Sequence, residues 1–114
     1  MTLFRLFLAT CLVVIVGYTA VTISNHGWDL MPIFFGDMAE MAWPGQFNLD
    51  FFTMLLLSGL WVGWRNHFSA LGLLLAIAAI LGGMLFLSIY LLFLTHRHGG
   101  DMRAVLLGAD RAVT

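Results

Sequence analysis

The chain has 114 residues, of which 61% are apolar and 10% charged, and its formal net charge is -1. Soluble domains carry roughly 25% charged residues, so this composition excludes an ordinary soluble protein and indicates a lipid environment. The five basic residues are scattered arginines, which argues against a protein that binds nucleic acid through a concentrated basic face.

Three stretches without charge predict an all-α integral membrane protein, a bundle of three helices that cross the bilayer. A hydrocarbon core about 30 Å thick needs about 20 helical residues. The stretches 6–28 and 68–95 meet this length, whereas 51–64 is short, so the second span has to begin before Asp50 or thin the membrane. We predict one membrane domain covering the whole chain, 1–114, with spans at 3–23, 49–65 and 69–95.

The first span has one feature of a cleaved signal peptide, because Arg5 precedes a long apolar run. The pattern of small residues that a signal peptidase requires is poor there. We therefore expect the segment to remain in the protein.

Between the first two spans, apolar residues recur at spacings of three and four, which predicts an amphipathic helix over 29–43. Asp29 is placed to cap its start, and Trp43-Pro44-Gly45 to end it. Trp28 and Trp43 flank the helix, as is typical of a helix in the headgroup layer. We interpret it as a lid over the bundle, with a substrate gate as the alternative.

Small residues predict close packing of the spans. In the third span four of them share one helical face, and in the second span two glycines lie four residues apart. Such residues let helix backbones approach closely in lipid. Packing within the chain is the first interpretation, and self-association or docking on a larger membrane protein would use the same surfaces. The residues expected at these contacts are Gly59, Gly63, Gly72, Ala76, Ala79 and Gly83, with Gly17, Ala20 and Ser24 available in the first span.

Asp50 is the residue that most suggests chemistry, because the short second span draws its carboxylate toward hydrocarbon, where an unpaired charge is costly. Tyr90 lies deep in the third span. If that span ends on the side where the second begins, the Tyr90 hydroxyl reaches Asp50 or Asn48. We therefore predict a candidate ligand-binding group of Asn48, Asp50 and Tyr90, with a purely structural hydrogen bond as the alternative.

The histidines do not predict a metal site. His96 and His98 are two residues apart and diverge on a helix, although with His26, Met38 and Met41 they could be assembled into a copper site. No pattern fixes that geometry. Cys11 is the single cysteine, which excludes an internal disulfide and a cysteine cluster. We predict no metal and no cofactor.

The residues after the third span predict a short amphipathic helix over 101–113, capped by Asp101 after Gly99-Gly100. We expect it to dock at the membrane interface, with a partner-binding tail as the alternative. Three full spans place the termini on opposite sides of the membrane. The acidic loop before the second span and Arg5 in the short N-terminal tail favour an N-inside, C-outside orientation.

Several short motifs resemble the small three-span bacterial membrane proteins that are catalogued as domains of unknown function. They are Phe47-Asn48-Leu49-Asp50-Phe51-Phe52, Trp61-Val62-Gly63-Trp64-Arg65, and Gly82-Gly83 followed by Leu87 to Leu94 with Tyr90 inside. The resemblance covers 47–94, a little under half of the chain. It implies a three-span fold in the bacterial inner membrane and no particular activity.

Two functions follow from these features. In the first, the chain is a small non-enzymatic membrane protein, an accessory or assembly subunit that packs on itself or on a larger membrane partner. In the second, it binds or processes an apolar, lipid-like small molecule such as an isoprenoid near Asp50 and Tyr90. The first is favoured because acid-base catalysis usually needs a positioned pair of groups or a metal, whereas one strong carboxylate is available.

Overall fold

The computed structural model describes residues 1–113, which form six α-helices and, within that range, no β-strand. Three helices are long and apolar enough to cross a membrane, so the all-α fold with three candidate spans is confirmed. The molecule is elongated, about 48 × 27 × 23 Å. In chain order the helices are α1 (Thr2–His26), α2 (Leu30–Ala39), α3 (Trp43–Arg65), α4 (Ala70–Arg97), α5 (Met102–Leu107) and α6 (Ala109–Ala112).

The boundary between α2 and α3 differs from the prediction. Trp43-Pro44-Gly45 opens α3 instead of ending the preceding helix, because a proline is tolerated in the first turn, where its missing N–H has no partner to lose. Asp29 is the N-cap residue of α2, but its side chain makes no capping bond. The earlier start gives α3 23 residues, about 34 Å at the usual helical rise. This helix can cross a bilayer without thinning it.

Helix α4 is folded back on itself at Gly83, whose φ of 56° and ψ of −138° are not helical. Gly72 and Tyr90 both lie against Asn66. A Cβ on Gly72 would be 2.8 Å from the Asn66 Cβ, and the Tyr90 hydroxyl oxygen is 2.9 Å from the Asn66 Nδ2. A straight helix would separate residues 72 and 90 by about 27 Å. Helix α4 is therefore a hairpin with a first arm, 70–82, and a second arm, 84–97.

The first arm packs closely on α3 through small residues. A Cβ on Gly59 would lie 2.7 Å from Ile80 and 3.2 Å from the Ala76 carbonyl oxygen, and one on Gly63 would lie 3.8 Å from the Ala76 Cβ. Ala79 is fully buried. At the turn, a Cβ on Gly83 would lie 3.2 Å from the Phe51 ring and 3.4 Å from Leu55. The backbones of α3 and the first arm can approach because side chains are missing at these points.

Helix α1 packs against α4 and joins the chain's two terminal regions. The Arg5 guanidinium donates to the carbonyl oxygen of Thr95 at 2.8 Å and to its hydroxyl at 3.3 Å. Leu8 is buried, and the Met1 side chain lies beside Gly100. The N-terminus and the residues after α4 therefore lie at the same end of the molecule. This corrects the expectation of termini at opposite ends, because the reversal at Gly83 brings the chain back.

The C-terminal segment forms two short helices where one was predicted. Gly108, with a φ of 90°, separates α5 from α6. The Asp101 carboxylate accepts a hydrogen bond from the Arg103 amide at 3.1 Å and so caps α5. Val105 is fully buried in the core cluster, which also contains Val62 and Leu94. The segment docks on the bundle itself through this side chain.

Candidate functional site

The two ends of the molecule carry charges of opposite sign. The end where α1 begins and where α3 and α4 finish, which we call the basic end, holds all the arginines together with Asp101 and Asp110. The other end, formed by α2 and its flanking residues, is the acidic end and has no basic side chain apart from His26. The arginines are Arg5, Arg65, Arg97, Arg103 and Arg111, and the carboxylates of the acidic end belong to Asp29, Asp37, Glu40 and Asp50.

Arg65 organises the basic end. Its side chain is 8% exposed and donates from Nε to the Val105 carbonyl oxygen at 2.6 Å and from Nη2 to that of Ala104 at 3.2 Å. Nη2 also lies 3.1 Å from Nε2 of His98. A buried guanidinium has to have its hydrogen bonds satisfied, and here main-chain carbonyl groups of α5 do so. Arg65 thus attaches α5 to the end of α3.

Further contacts attach the C-terminal segment to the loop between α3 and α4. The Arg111 guanidinium lies 3.9 Å from the centre of the Trp64 ring and donates to the Trp64 carbonyl oxygen at 2.7 Å. Asp110 pairs with His67 at 2.7 Å, and the Trp61 indole donates to the Leu106 carbonyl oxygen at 3.0 Å. These bonds hold α5 and α6 across the base of the α4 hairpin.

Tyr90 is buried beside this arrangement. Its hydroxyl accepts from Asn66 Nδ2 at 2.9 Å, and the same amide donates to the Val62 carbonyl oxygen at 2.8 Å. The ring stacks on Phe86 at 5.4 Å and meets Trp61 edge to face at 6.0 Å. Within residues 1–113 the hydroxyl hydrogen of Tyr90 has no acceptor. One donor is therefore available at this point for a bound molecule.

A cavity of about 470 Å³ lies between the two arms of α4. Its volume is within the range of about 300 to 1,000 Å³ typical of ligand pockets. Arg97 and Asn66 belong to its polar end, where a second cavity of about 250 Å³ shares these residues and extends toward His98 and Asp110. The apolar walls come from Leu71 and Leu75 of the first arm and Phe86, Ile89 and Phe93 of the second.

Two titratable groups beside the second cavity have shifted pKa values. Burial, followed by the nearby charges of Arg65 and Arg97, lowers the pKa of His98 from its ordinary value of 6.5. A neutral His98 is the form that can accept from Arg65. The pKa of Asp110 is lowered from 3.8, first by the hydrogen bond from its own backbone amide and then by His67. The carboxylate is therefore charged at neutral pH and is paired with that histidine.

The structure separates the three residues predicted to share a ligand. Tyr90 lies at the basic end, and Asp50 lies sixteen residues before Asn66 on α3, about 24 Å away at the usual helical rise. The predicted hydrogen bond between Tyr90 and Asp50 or Asn48 is not formed, because the second arm of α4 runs toward the basic end. Asp50 is exposed. Its early position on the longer α3 removes the reason for placing it in hydrocarbon.

Asn48 instead joins α3 to α2. Its Nδ2 donates to the Phe34 carbonyl oxygen at 3.1 Å and lies 3.5 Å from the Asp37 carboxylate. The helices approach at Gly45, where an added Cβ would collide with the backbone of Asp37. Phe52 meets Phe34 with ring centres 6.2 Å apart. At the acidic end, then, Asn48 holds secondary structure together.

Three residues of the cavity were not among the site residues predicted from the sequence, namely Arg65, Asn66 and Arg97. The available signal was the length of the third apolar stretch combined with Gly82-Gly83 near its middle. Two glycines in the middle of a run longer than a span requires are compatible with a turn, and a turn brings Arg97 back to Arg65.

The sequence matches the profile of no known protein family, and no curated protein and no solved structure is significantly similar to it. In the part of the chain that the structure describes, no three side chains of His, Cys, Asp or Glu are grouped to hold a metal ion. The assignment of the site therefore rests on its geometry alone, and the resemblance to small three-span bacterial membrane proteins stays a prediction.

Proposed function

We propose that the protein is a small non-enzymatic integral membrane protein, an accessory or assembly subunit that packs through α1 on itself or on a larger membrane protein. The observation that carries the proposal is the free face on the second half of α1. Gly17 has nothing within 4 Å of an added Cβ, and Tyr18 is 77% exposed. Val13, Gly17, Ala20 and Ser24 fall on this face at offsets of four, seven and eleven.

A glycine inside a helix costs about 1 kcal/mol relative to alanine. In lipid that cost is offset where the glycine allows another backbone to come close. Gly59 and Gly63 have such neighbours within the chain, whereas Gly17 has none. A further membrane helix on this face would supply the missing contact.

The proposed position in the membrane follows from helix lengths. Helix α1, with 25 residues, is about 37 Å long and α3 about 34 Å, enough for a hydrocarbon core of about 30 Å. Each arm of α4 is only about 20 Å long. Helix α4 then enters and leaves from one side as a re-entrant hairpin. Non-helical backbone is tolerated at such depth when protein covers it, and Phe51 and Leu55 cover Gly83.

The proposed orientation places the basic end in the cytoplasm. Loops rich in arginine stay on the cytoplasmic side, and all five arginines are at this end. Trp61 and Trp64 then lie at one interface and Trp28 and Trp43 at the other, which agrees with aromatic belts at both surfaces. Helix α2 lies in the opposite headgroup layer. This orientation, in a bacterial inner membrane, replaces the N-inside, C-outside expectation with both termini inside.

Labelling of single cysteines tests this topology. In a Cys11→Ser background, Ser69→Cys and His96→Cys should react from the cytoplasmic side, and Asn25→Cys from the opposite side. Reaction of Ser69→Cys and His96→Cys from different sides would show that α4 crosses completely and would overturn the re-entrant arrangement.

Assembly is tested separately at Gly17. In the Cys11→Ser background, Gly17→Cys should form an inter-chain disulfide on oxidation if the partner is a second copy. A larger partner should instead co-purify with the wild type and be lost in Gly17→Leu. Gly36→Leu, a change on α2 where an added Cβ also meets nothing, is the control. If Gly17→Leu changes neither oligomeric state nor co-purification, the proposed role of α1 is wrong.

A further inference from the structure

We propose that the cavity between the arms of α4 binds an anionic amphiphile, with one acyl chain between the arms and its acidic headgroup at Arg97. The inference rests on the proposed placement of the α4 hairpin in the membrane but is independent of the assembly role proposed for α1, which concerns the opposite end of the molecule. It names a site that differs from the predicted group of Asn48, Asp50 and Tyr90.

The walls of the cavity fit a hydrocarbon chain. Leu71 and Leu75 face Ile89 and Phe93 across the hairpin. Leu71, Ile89 and Phe93 are 64%, 53% and 55% exposed, so the cavity is open on one side. In a membrane that opening faces lipid, and an acyl chain can enter laterally. A chain held there fills the space that the hairpin leaves between its arms.

The polar end of the cavity fits an anion. Arg97 is exposed and, within residues 1–113, forms no hydrogen bond or ion pair. Arg65 adds a second guanidinium, although its donors already bind α5. A guanidinium binds carboxylates and phosphates through paired hydrogen bonds. Basic pockets between membrane helices on the cytoplasmic side bind acidic lipid headgroups in this way.

Tyr90 completes the set of donors. Its hydroxyl accepts from Asn66, and its own hydrogen is uncommitted among the described residues. The carboxylate on the neighbouring cavity belongs to Asp110, which is paired with His67 at 2.7 Å. The residues that line the main cavity include no carboxylate. The local charge therefore favours an acidic headgroup over a neutral or cationic one.

Binding can be measured on the full-length protein in a neutral detergent, with native mass spectrometry to count bound molecules and a titration to give affinity. The probes are oleate and phosphatidylglycerol, which distinguish a free fatty acid from a membrane phospholipid as the source of the chain. Their neutral controls are oleyl alcohol and phosphatidylcholine. We expect saturable binding of at least one acidic probe, tighter than that of its neutral control by about tenfold or more.

Two pairs of variants test whether the headgroup and the acyl chain bind at the proposed positions in the cavity. Arg97→Gln should weaken the affinity for the acidic probe by about tenfold and leave the affinity for the neutral probe unchanged. Arg103→Gln removes the same charge outside the cavity and should have little effect on either affinity. Leu71→Trp should fill the cavity and abolish saturable binding. Leu74→Trp is the matched control, because Leu74 is 66% exposed on the same arm but does not line the cavity.

Three results would overturn the proposal. They are equal binding of acidic and neutral probes, unchanged affinity in Arg97→Gln, and unchanged binding in Leu71→Trp. Thermal unfolding of each variant shows whether a loss of binding comes from misfolding. If Leu71→Trp fails to fold, Ile89→Phe, a smaller change on the facing wall, must show the loss of binding instead.

Discussion

At the basic end, Arg5, Arg65 and Arg111 donate hydrogen bonds to main-chain carbonyl groups of a neighbouring segment, and Trp61 does the same. At the acidic end, within residues 1–113, Asn48 is the side chain that bonds in this way to another helix. Aromatic contacts supply most of the remaining cohesion there, with Phe34, Phe35 and Phe52 in mutual contact at 5.1 to 6.5 Å.

The comparison shows that charged side chains have different structural roles at the two ends of this small membrane protein. The guanidinium of Arg65 joins α3 to α5, so removing it leaves the buried Val105 carbonyl group without its donor. Asp50 has no hydrogen bond or ion pair through its side chain within residues 1–113, so changing it alters the surface and little else. The basic end is expected to respond strongly to substitution and the acidic end weakly.

The largest effect is expected for Arg65→Leu. The carbonyl group of Val105 loses its donor, whereas that of Ala104 keeps its hydrogen bond from the Gly108 amide at 2.9 Å. A buried acceptor left unsatisfied costs about 1 to 3 kcal/mol, and the contact with His98 is lost as well. We expect a loss of about 3 kcal/mol in thermal unfolding in detergent, together with faster proteolysis after α4. Arg97→Leu is the control and should shift stability by less than about 0.5 kcal/mol. Equal stability of the two variants would contradict the role given to Arg65.

Gly83→Leu should have the next largest effect. The positive φ at this turn is strained for any residue with a Cβ, and the new side chain would press on Phe51 and Leu55. Overpacking typically costs about 1 to 3 kcal/mol. Gly36→Leu, in open space on α2, should be nearly neutral. Matching unfolding temperatures for both variants would mean that the hairpin turn does not constrain the bundle.

The acidic end is tested by two neighbouring residues. Asn48→Ala removes the hydrogen bond to Phe34 and should cost about 0.5 to 1.5 kcal/mol. Asp50→Ala and Asp50→Asn should each stay within about 0.5 kcal/mol of the wild type, because the side chain is exposed. A larger loss in Asp50→Ala than in Asn48→Ala, measured by thermal unfolding, would restore Asp50 as a buried, bonded group.

The smallest effect is expected from pH. The pKa of His98 is lowered in the folded protein by burial and by Arg65 and Arg97. As the pH falls through 6.5, His98 binds a proton in the unfolded chain but stays neutral in the folded protein. The free energy of unfolding therefore decreases until the pH reaches the lowered pKa of the folded state. His98→Gln keeps an acceptor for Arg65 but does not titrate. Its unfolding temperature should fall less than that of the wild type between pH 7.5 and 5.5, and identical slopes would contradict the assignment.

The apolar helices were predictable because a charge-free stretch in lipid has to satisfy its backbone hydrogen bonds internally, and a helix does so. Helix α2 was also predictable from its periodicity, but its end was not, since Trp43-Pro44-Gly45 can stop a helix or start one. The structure uses Pro44 in the first turn of α3. Local sequence did not distinguish the two because proline is compatible with both positions.

The reversal at Gly83 was missed for a different reason. Hydropathy measures the length of an apolar stretch and does not distinguish one long helix from two short arms. The predicted site depended on that distinction, because a single straight third span would place Tyr90 at the same depth in the membrane as Asp50. Once α4 turns back, Tyr90 meets Asn66 instead. Three full spans would place Arg5 and Arg65 on one side of the membrane and the other three arginines on the opposite side, whereas the reversal brings all five to one end of the molecule.

The α4 hairpin also determines which segment of the chain crosses the bilayer during membrane insertion in the proposed topology. The proposed orientation has both termini on the side of synthesis, so the insertion machinery would have to move only residues 27–42 and the adjoining helix ends across the bilayer. This segment contains three of the carboxylates and no arginine. In the same proposed arrangement, the chain after α3 stays on the side where it is synthesised, so the basic end would assemble without a second translocation event.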